Sequence, residues 1–85
     1  MKIAIVTGAS SGMGREFVRI LDKNEQLDEI WGVGRAKENL DALAAELKTP
    51  FRAFEVDITA GGMEQIVAAV KEQSPDVKWL VNAAG

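Results

Sequence analysis

Three glycines, Gly8, Gly12 and Gly14, stand in a row of small residues that opens with Thr7 and includes Ala9, Ser10 and Ser11. The row follows the apolar run Ile3-Ala4-Ile5-Val6 and leads into a helical pattern. Glycine at such a joint lets the backbone turn sharply and approach a ligand closely. The helix start adds unpaired N–H groups and the positive end of its dipole. That combination suits an anion such as a pyrophosphate, with Gly14 serving to bring helix and strand together. Thr7, Ser10 and Ser11 add hydroxyl donors, and Met13 is a flexible packing residue between the last two glycines. No Gly-Lys-Ser/Thr follows, which argues against a mononucleotide P-loop. On spacing alone, the same glycines also describe a plain tight joint.

Three further points fall at strand ends. Gly34-Arg35 follows the second apolar run. An acidic residue there would bind ribose hydroxyls and repel an added phosphate, whereas this chain has glycine and then a guanidinium suited to phosphate. The alternative for Arg35 is an ordinary surface arginine. Asp57, with Ile58 beside it, ends the third run on the side where such sheets bind ligands. Its alternative role is to cap the turn into the next helix, shared with Thr59. Asn82 leaves the fourth run, where its amide can bond backbone groups. Trp31 and Trp79 read as core or sheet-face residues, and Glu25, Asp28 and Glu29 as solvated charge.

The elements that carry these points alternate. Apolar runs at Ile3–Val6, at Ile30, Trp31 and Val33, at Phe51, Ala53, Phe54 and Val56, and at Val77, Trp79, Leu80 and Val81 read as four covered strands. Between them lie three helical patterns. The first has Met13, Phe17, Ile20 and Leu21 as its apolar face and fades near Lys23-Asn24. The second buries Leu40, Leu43, Ala44 and Leu47 and stops before Pro50. The third buries Met63, Ile66, Val67 and Val70 and stops at Ser74-Pro75. Strand and helix in strict turn read as βαβ units around a parallel sheet with right-handed crossovers. No linker or composition shift divides the chain.

Composition narrows the chemistry. The 85 residues are 47% hydrophobic and carry a formal charge of −3, which speaks against nucleic acid or an acidic membrane as partner. There is no Cys, His or Tyr, so no disulfide, no thiolate nucleophile and no ordinary zinc site is expected, and two common proton-transfer groups are missing. No metal site is expected. The N-terminal apolar run is too short for a signal peptide's core, and no run approaches the roughly 18 apolar residues of a membrane span. The expectation is a cytoplasmic protein.

Thr7-Gly8-Ala9-Ser10-Ser11-Gly12-Met13-Gly14 resembles the Thr-Gly-x-x-x-Gly-x-Gly signature of the short-chain dehydrogenase/reductase family. Asn82-Ala83-Ala84-Gly85 is similar to its Asn-Asn-Ala-Gly, with Ala83 in place of the second Asn, and Asp57 resembles its acidic residue after the third strand. The resemblance implies a Rossmann-type three-layer α/β domain with four parallel strands in the order 3-2-1-4 and three helices. The 85 residues would be the N-terminal half of that domain, truncated from a chain of roughly 250 residues. It also implies NAD(P) binding by Gly8, Ser10, Ser11, Gly12, Met13, Gly14, Arg35, Asp57, Ile58, Asn82, Ala83, Ala84 and Gly85. Asp57 would bond the adenine amino group beside Ile58, Met13 would turn its side chain inward, and Ala84-Gly85 would run beside the ribose.

A basic residue at the Arg35 position commonly goes with NADP, and an acidic one at Gly34 with NAD, so NADP is expected. Many NADP-preferring members also carry a basic residue at the Ser11 position, and here it is a hydroxyl. The implied activity of the full-length protein is hydride transfer between nicotinamide and a carbonyl or alcohol substrate. Its catalytic Tyr, Lys and Ser would lie beyond position 85, and no catalytic residue is assigned. A non-catalytic dinucleotide-binding module is the alternative, and a purely structural α/β domain a third reading. The parent is expected to be a homo-oligomer. The 85 residues alone are expected to be inactive, and to pair through the open, apolar edge of the fourth strand.

Overall fold

A computed structural model describes residues 1–58 and 61–83. Seven elements alternate: β1 (Lys2–Thr7), α1 (Gly12–Asn24), β2 (Glu29–Gly34), α2 (Lys37–Glu46), β3 (Phe51–Glu55), α3 (Met63–Gln73) and β4 (Asp76–Asn82). All neighbouring strands are parallel, and the sheet order is β3-β2-β1-β4, as expected. The fold is a three-layer Rossmann-type α/β domain, because parallel strands need helical crossovers that then cover both faces.

Alternation along β1 divides the core in two. Ile3 and Ile5 face α3, joined by Trp31, Val33, Phe54 and Val56 and covered by Ile66 and Ala69. Ala4 and Val6 face the other way with Ile30, under Val18 and Leu21 of α1 and Leu40 and Leu43 of α2. Trp31 and Phe54 pack with ring centroids 5.5 Å apart, and the Arg52 guanidinium lies 5.0 Å over the indole and 4.9 Å over the phenyl ring. Such cation–aromatic contacts let a charged edge-strand residue close a core without being buried.

Two helix faces differ from expectation. In α1 the buried residues are Gly14, Val18 and Leu21, whereas Met13, Phe17 and Ile20 are exposed. The reason is close approach: a Cβ on Gly14 would come within 2.0 Å of the Gly8 carbonyl oxygen, so the glycine face lies against the strand end and the larger residues turn outward. In α3 the buried pair is Ile66 and Ala69, with Val70 partly buried against the same cluster and Met63 and Val67 exposed. In α2, Leu40 and Leu43 of the expected stripe are buried, Leu47 packs half-buried just past the helix end, and Ala44 is half-buried. Gly62 precedes α3, and Thr59, the expected cap, lies outside the described residues.

A β-bulge breaks the register of β4. Val77 pairs with Ile3 but Trp79 with Ala4, so Lys78 is the extra residue. The bulge lets successive apolar residues alternate between the faces, and Lys78 forms an ion pair with Asp76 at 2.9 Å. The residues read as surface charge lie at the surface and also act as acceptors. Glu25 takes the Trp79 indole N–H at 3.0 Å, Glu29 that of Trp31 at 2.8 Å, and Asp28 the Lys2 backbone N–H at 2.6 Å.

Candidate functional site

The carboxyl ends of β1, β2 and β3 converge on one cleft of about 370 Å³. Gly8, Ser10 and Ser11 form one wall, Val33, Gly34 and Arg35 the next, and Val56, Asp57, Ile58 and Ala83 the remainder. Open parallel sheets bind ligands at this end, where strand order reverses and neighbouring connections part to opposite faces. Here β1 is the reversal point, with β2 on one side and β4 on the other.

Local chemistry builds the glycine wall. Gly8 has φ of 73°, a left-handed conformation that glycine adopts at no steric cost. The turn closes through Ser11, whose N–H donates to the Gly8 carbonyl at 3.1 Å and whose hydroxyl donates to the same oxygen at 2.9 Å. Ala9 N–H donates to the Val33 carbonyl at 2.9 Å, tying the turn to β2, and Asn39 Nδ2 donates to the Ser10 carbonyl at 3.2 Å, tying it to α2. The first bond of α1 runs from Arg15 N–H to the Ser11 carbonyl at 2.8 Å, so the N–H groups of Gly12 to Gly14 lie ahead of the helix ladder. At Gly12 an added Cβ would meet nothing within 4 Å among the described residues, so packing does not require glycine there.

The second wall carries the charges. The Arg35 side chain is 79% exposed and lies 3.9 Å from an Asp57 carboxylate oxygen. Ion pairs this exposed hold their partners loosely, worth about 0–1 kcal/mol. The guanidinium therefore stands at the cleft mouth, able to turn toward an anionic group. At the far wall the strand exits are joined: Thr7 Oγ1 donates to Asn82 Oδ1 at 2.9 Å, and Ala83 N–H donates to the Thr7 carbonyl at 3.2 Å. Asn82 thus acts as a brace between β1 and β4.

The cleft gathers eight residues singled out in the sequence: Gly8, Ser10, Ser11, Gly34, Arg35, Asp57, Ile58 and Ala83. Gly12, Gly14 and Asn82 support it without lining it. Met13, expected to face inward, is 69% exposed, because α1 turns its Gly14 face to the sheet. Ala84 and Gly85 lie outside the described residues. Val33 and Val56 were read only as strand residues. Their signal is position, since each is the last apolar residue before a strand-end site residue. Asn39 carried no sequence signal, because its contact is made across a loop. Among the described residues, no group of three or more His, Cys, Asp or Glu could hold a metal. No described helix is long and apolar enough to cross a membrane.

The model of a family described as short chain dehydrogenase matches residues 2–85. The chain is 39% identical over 82 residues to a serine 3-dehydrogenase of Agrobacterium fabrum, covering 95% of this chain and 32% of that protein. It is 33% identical over 87 residues to an NAD-dependent glycerol dehydrogenase of Listeria innocua, covering 99% and 33% respectively. A short-chain dehydrogenase from Sphingobium yanoikuyae, solved in complex with NADPH, superposes with a TM-score of 0.79 at 28% identity, over all of this chain and 34% of that one. The chain spans about a third of the length of the curated relatives it matches.

Proposed function

The chain belongs to the short-chain dehydrogenase family and is a dinucleotide-binding Rossmann module; from that premise we propose that it holds the cofactor of an oxidoreductase, with NADP preferred. In the whole protein the reaction is hydride transfer between nicotinamide and a carbonyl or alcohol substrate, and these 85 residues are the N-terminal half of the NAD(P)-binding domain. One observation carries the reading: the cleft at the reversal point of the sheet is walled by a left-handed glycine turn on one side and by Gly34-Arg35 on the other.

A bound nicotinamide dinucleotide supplies the hydride donor or acceptor. This chain's residues bind and orient it. The N–H groups at the start of α1 receive the pyrophosphate, where the helix dipole favours negative charge without a lysine beneath. Gly12 leaves the backbone open to that approach, Met13 contributes its backbone N–H, and Gly8 and Gly14 shape the turn. Asp57, with Ile58 at its side, receives the adenine. Asn82 fixes the exit of β4 through Thr7, and Ala83 beside it presents a small side chain to the cleft. No residue of this chain is assigned proton transfer to the substrate oxygen, a step this reading gives to other parts of the protein.

Relatives point both ways on the cofactor, one being NAD-dependent by name and another solved in complex with NADPH. The choice therefore rests on the ribose end. Both cofactors share the pyrophosphate, so the α1 terminus does not distinguish them. Gly34 has no carboxylate to hold ribose hydroxyls or repel a phosphate, and Arg35 offers a planar donor fork for a 2′-phosphate. A hydrogen bond to a charged group is worth about 1.5–3 kcal/mol, or one to two decades of affinity. Titration of the full-length protein with NADP and NAD tests this. Arg35→Ala is expected to weaken NADP by that factor and to leave NAD nearly unchanged, whereas equal losses, or a wild-type preference for NAD, would refute the assignment. In the same assay Gly12→Ala weakens both cofactors without lowering Tm.

A further inference from the structure

Residue 34 is where a carboxylate would stand to hold an unphosphorylated ribose, and this chain has glycine there. The backbone does not require it. Gly34 closes β2, and the described glycines with positive φ are Gly8 and Gly61. The requirement is steric. A Cβ built on Gly34 comes within 2.4 Å of Ser10 Oγ, 2.9 Å of Ser10 Cβ and 3.2 Å of Ser10 N. Rotating the Ser10 side chain moves the hydroxyl and leaves the other two atoms where they are. The main chain around Ser10 is tied down as well, through Ala9 N–H to β2 at 2.9 Å and through the Ser10 carbonyl to Asn39 of α2 at 3.2 Å. Both ties would have to loosen for the turn to withdraw.

We infer that Ser10 and Gly34 form a single specificity element, in which the Ser10 side chain fills the volume that a side chain at position 34 would need. A carboxylate at 34 is seated only when Ser10 is shortened too. The inference rests on the proposed cofactor reading for its ligand, but its steric half stands independently. Ser10, Gly34 and Arg35 line the same cleft. Preference for a phosphorylated ribose then has two sources: attraction by Arg35, and exclusion by Ser10 of the group that would serve the competitor.

Two measurements on the full-length protein test this, with 2′,5′-ADP and 5′-ADP as probes. The first is a ligand-free double-mutant cycle in Tm with Gly34→Ala, Ser10→Gly and the pair, which cancels the separate cost of an added glycine. Gly34→Ala is expected to lower Tm, and Ser10→Gly to recover most of that loss; strictly additive changes overturn the inference. The second compares Gly34→Asp alone with Gly34→Asp/Ser10→Gly. The single variant is expected to weaken both probes. The double variant is expected to regain 5′-ADP affinity by about tenfold over the single while 2′,5′-ADP stays weak. If Gly34→Asp alone acquires a preference for 5′-ADP at unchanged Tm, Ser10 is not part of the element. If Gly34→Asp fails to fold, recovery of folding by Ser10→Gly supports the inference and continued failure beside an additive alanine cycle overturns it. A coupled Tm cycle in a wild-type protein that binds neither probe retains the packing relation and refutes the cofactor reading instead.

Discussion

β2 and β4 flank β1 on opposite sides, and each carries a tryptophan whose indole N–H donates to a glutamate. Their surroundings differ. Trp31 is fully buried, with Phe54 against its ring and Arg52 above it, whereas Trp79 is 46% exposed and Leu80 beside it 69% exposed. β2 has another strand beyond it and helices over both faces. β4 is the last strand of the sheet, and α1 approaches one of its faces with Met13, Phe17 and Ile20 still turned to solvent. Two strands of similar composition therefore carry unequal weight in the fold. What a tryptophan contributes is set by the layer beyond its strand.

The largest test of that contrast is truncation of each ring. Trp31→Ala is expected to destabilise the protein by about 3–5 kcal/mol, the range for emptying a closed aromatic site. Trp79→Ala is expected to cost clearly less, since the residue is already about half exposed. Denaturant unfolding of the two variants side by side decides it, and equal losses would mean that β4 is as integral to the core as β2.

A smaller effect is expected where α1 meets the covered side of the sheet. Gly14→Ala forces a methyl against the Gly8 carbonyl oxygen, and overpacking of this kind costs about 1–3 kcal/mol. Phe17→Ala on the open side of the same helix should stay within about 1 kcal/mol. A Phe17 variant that proves the more destabilised of the two would reverse the face assignment.

The open side makes its own prediction. Val77, Trp79 and Leu80 form an exposed apolar edge, and unpaired edges recruit other strands. The 85-residue chain is expected to pair through β4 with a second copy, and Leu80→Lys to weaken that dimer about tenfold or more. Light scattering over a concentration series reads both, and a wild-type chain that stays monomeric at high concentration removes the proposal.

The smallest effect is in acid. Asp22 on α1 accepts the Thr49 N–H at 2.8 Å and the Lys48 N–H at 3.3 Å, joining α1 to the segment before β3. Burial pushes its carboxyl up, but bonds from the Thr49 hydroxyl and the two N–H groups outweigh that and hold it below the ordinary 3.8. A carboxyl lowered in the folded state adds stability above its unfolded value and loses it as pH falls through its folded one. Asp22→Asn should therefore flatten the decline of stability below about pH 4. Asp76 is also lowered, by Lys78, but the pair is open to solvent, with side chains 56% and 46% exposed, so Asp76→Asn should leave the slope nearly unchanged. Equal effects from the two would erase the distinction between covered and open sides.

Much of the site was legible because its signals are local. Gly8 and Gly14 mark a turn whose conformation and clearance only glycine satisfies, and Arg35, Asp57 and Ala83 follow apolar runs that had to be strands. The helix faces were less legible. Met13, Phe17 and Ile20 share helical spacing with Val18 and Leu21, and periodicity does not say which part of a wide apolar arc meets the sheet. Glu25 looked like surface charge because its partner Trp79 reaches it only through tertiary packing, whereas Glu29 and Trp31, two apart on β2, share a face that strand alternation already placed together.

The sequence by itself determined the alternation of strands and helices, the ligand-side glycine turn and the likeness to a dinucleotide-binding family, because each depends on residues close together along the chain. Only the tertiary structure decided that α1 rests on Gly14, that Lys78 is the extra residue of a bulge, and that Ser10 occupies the space beside Gly34. These depend on how closely two segments approach, a distance set by every layer packed behind them and written in neither segment alone.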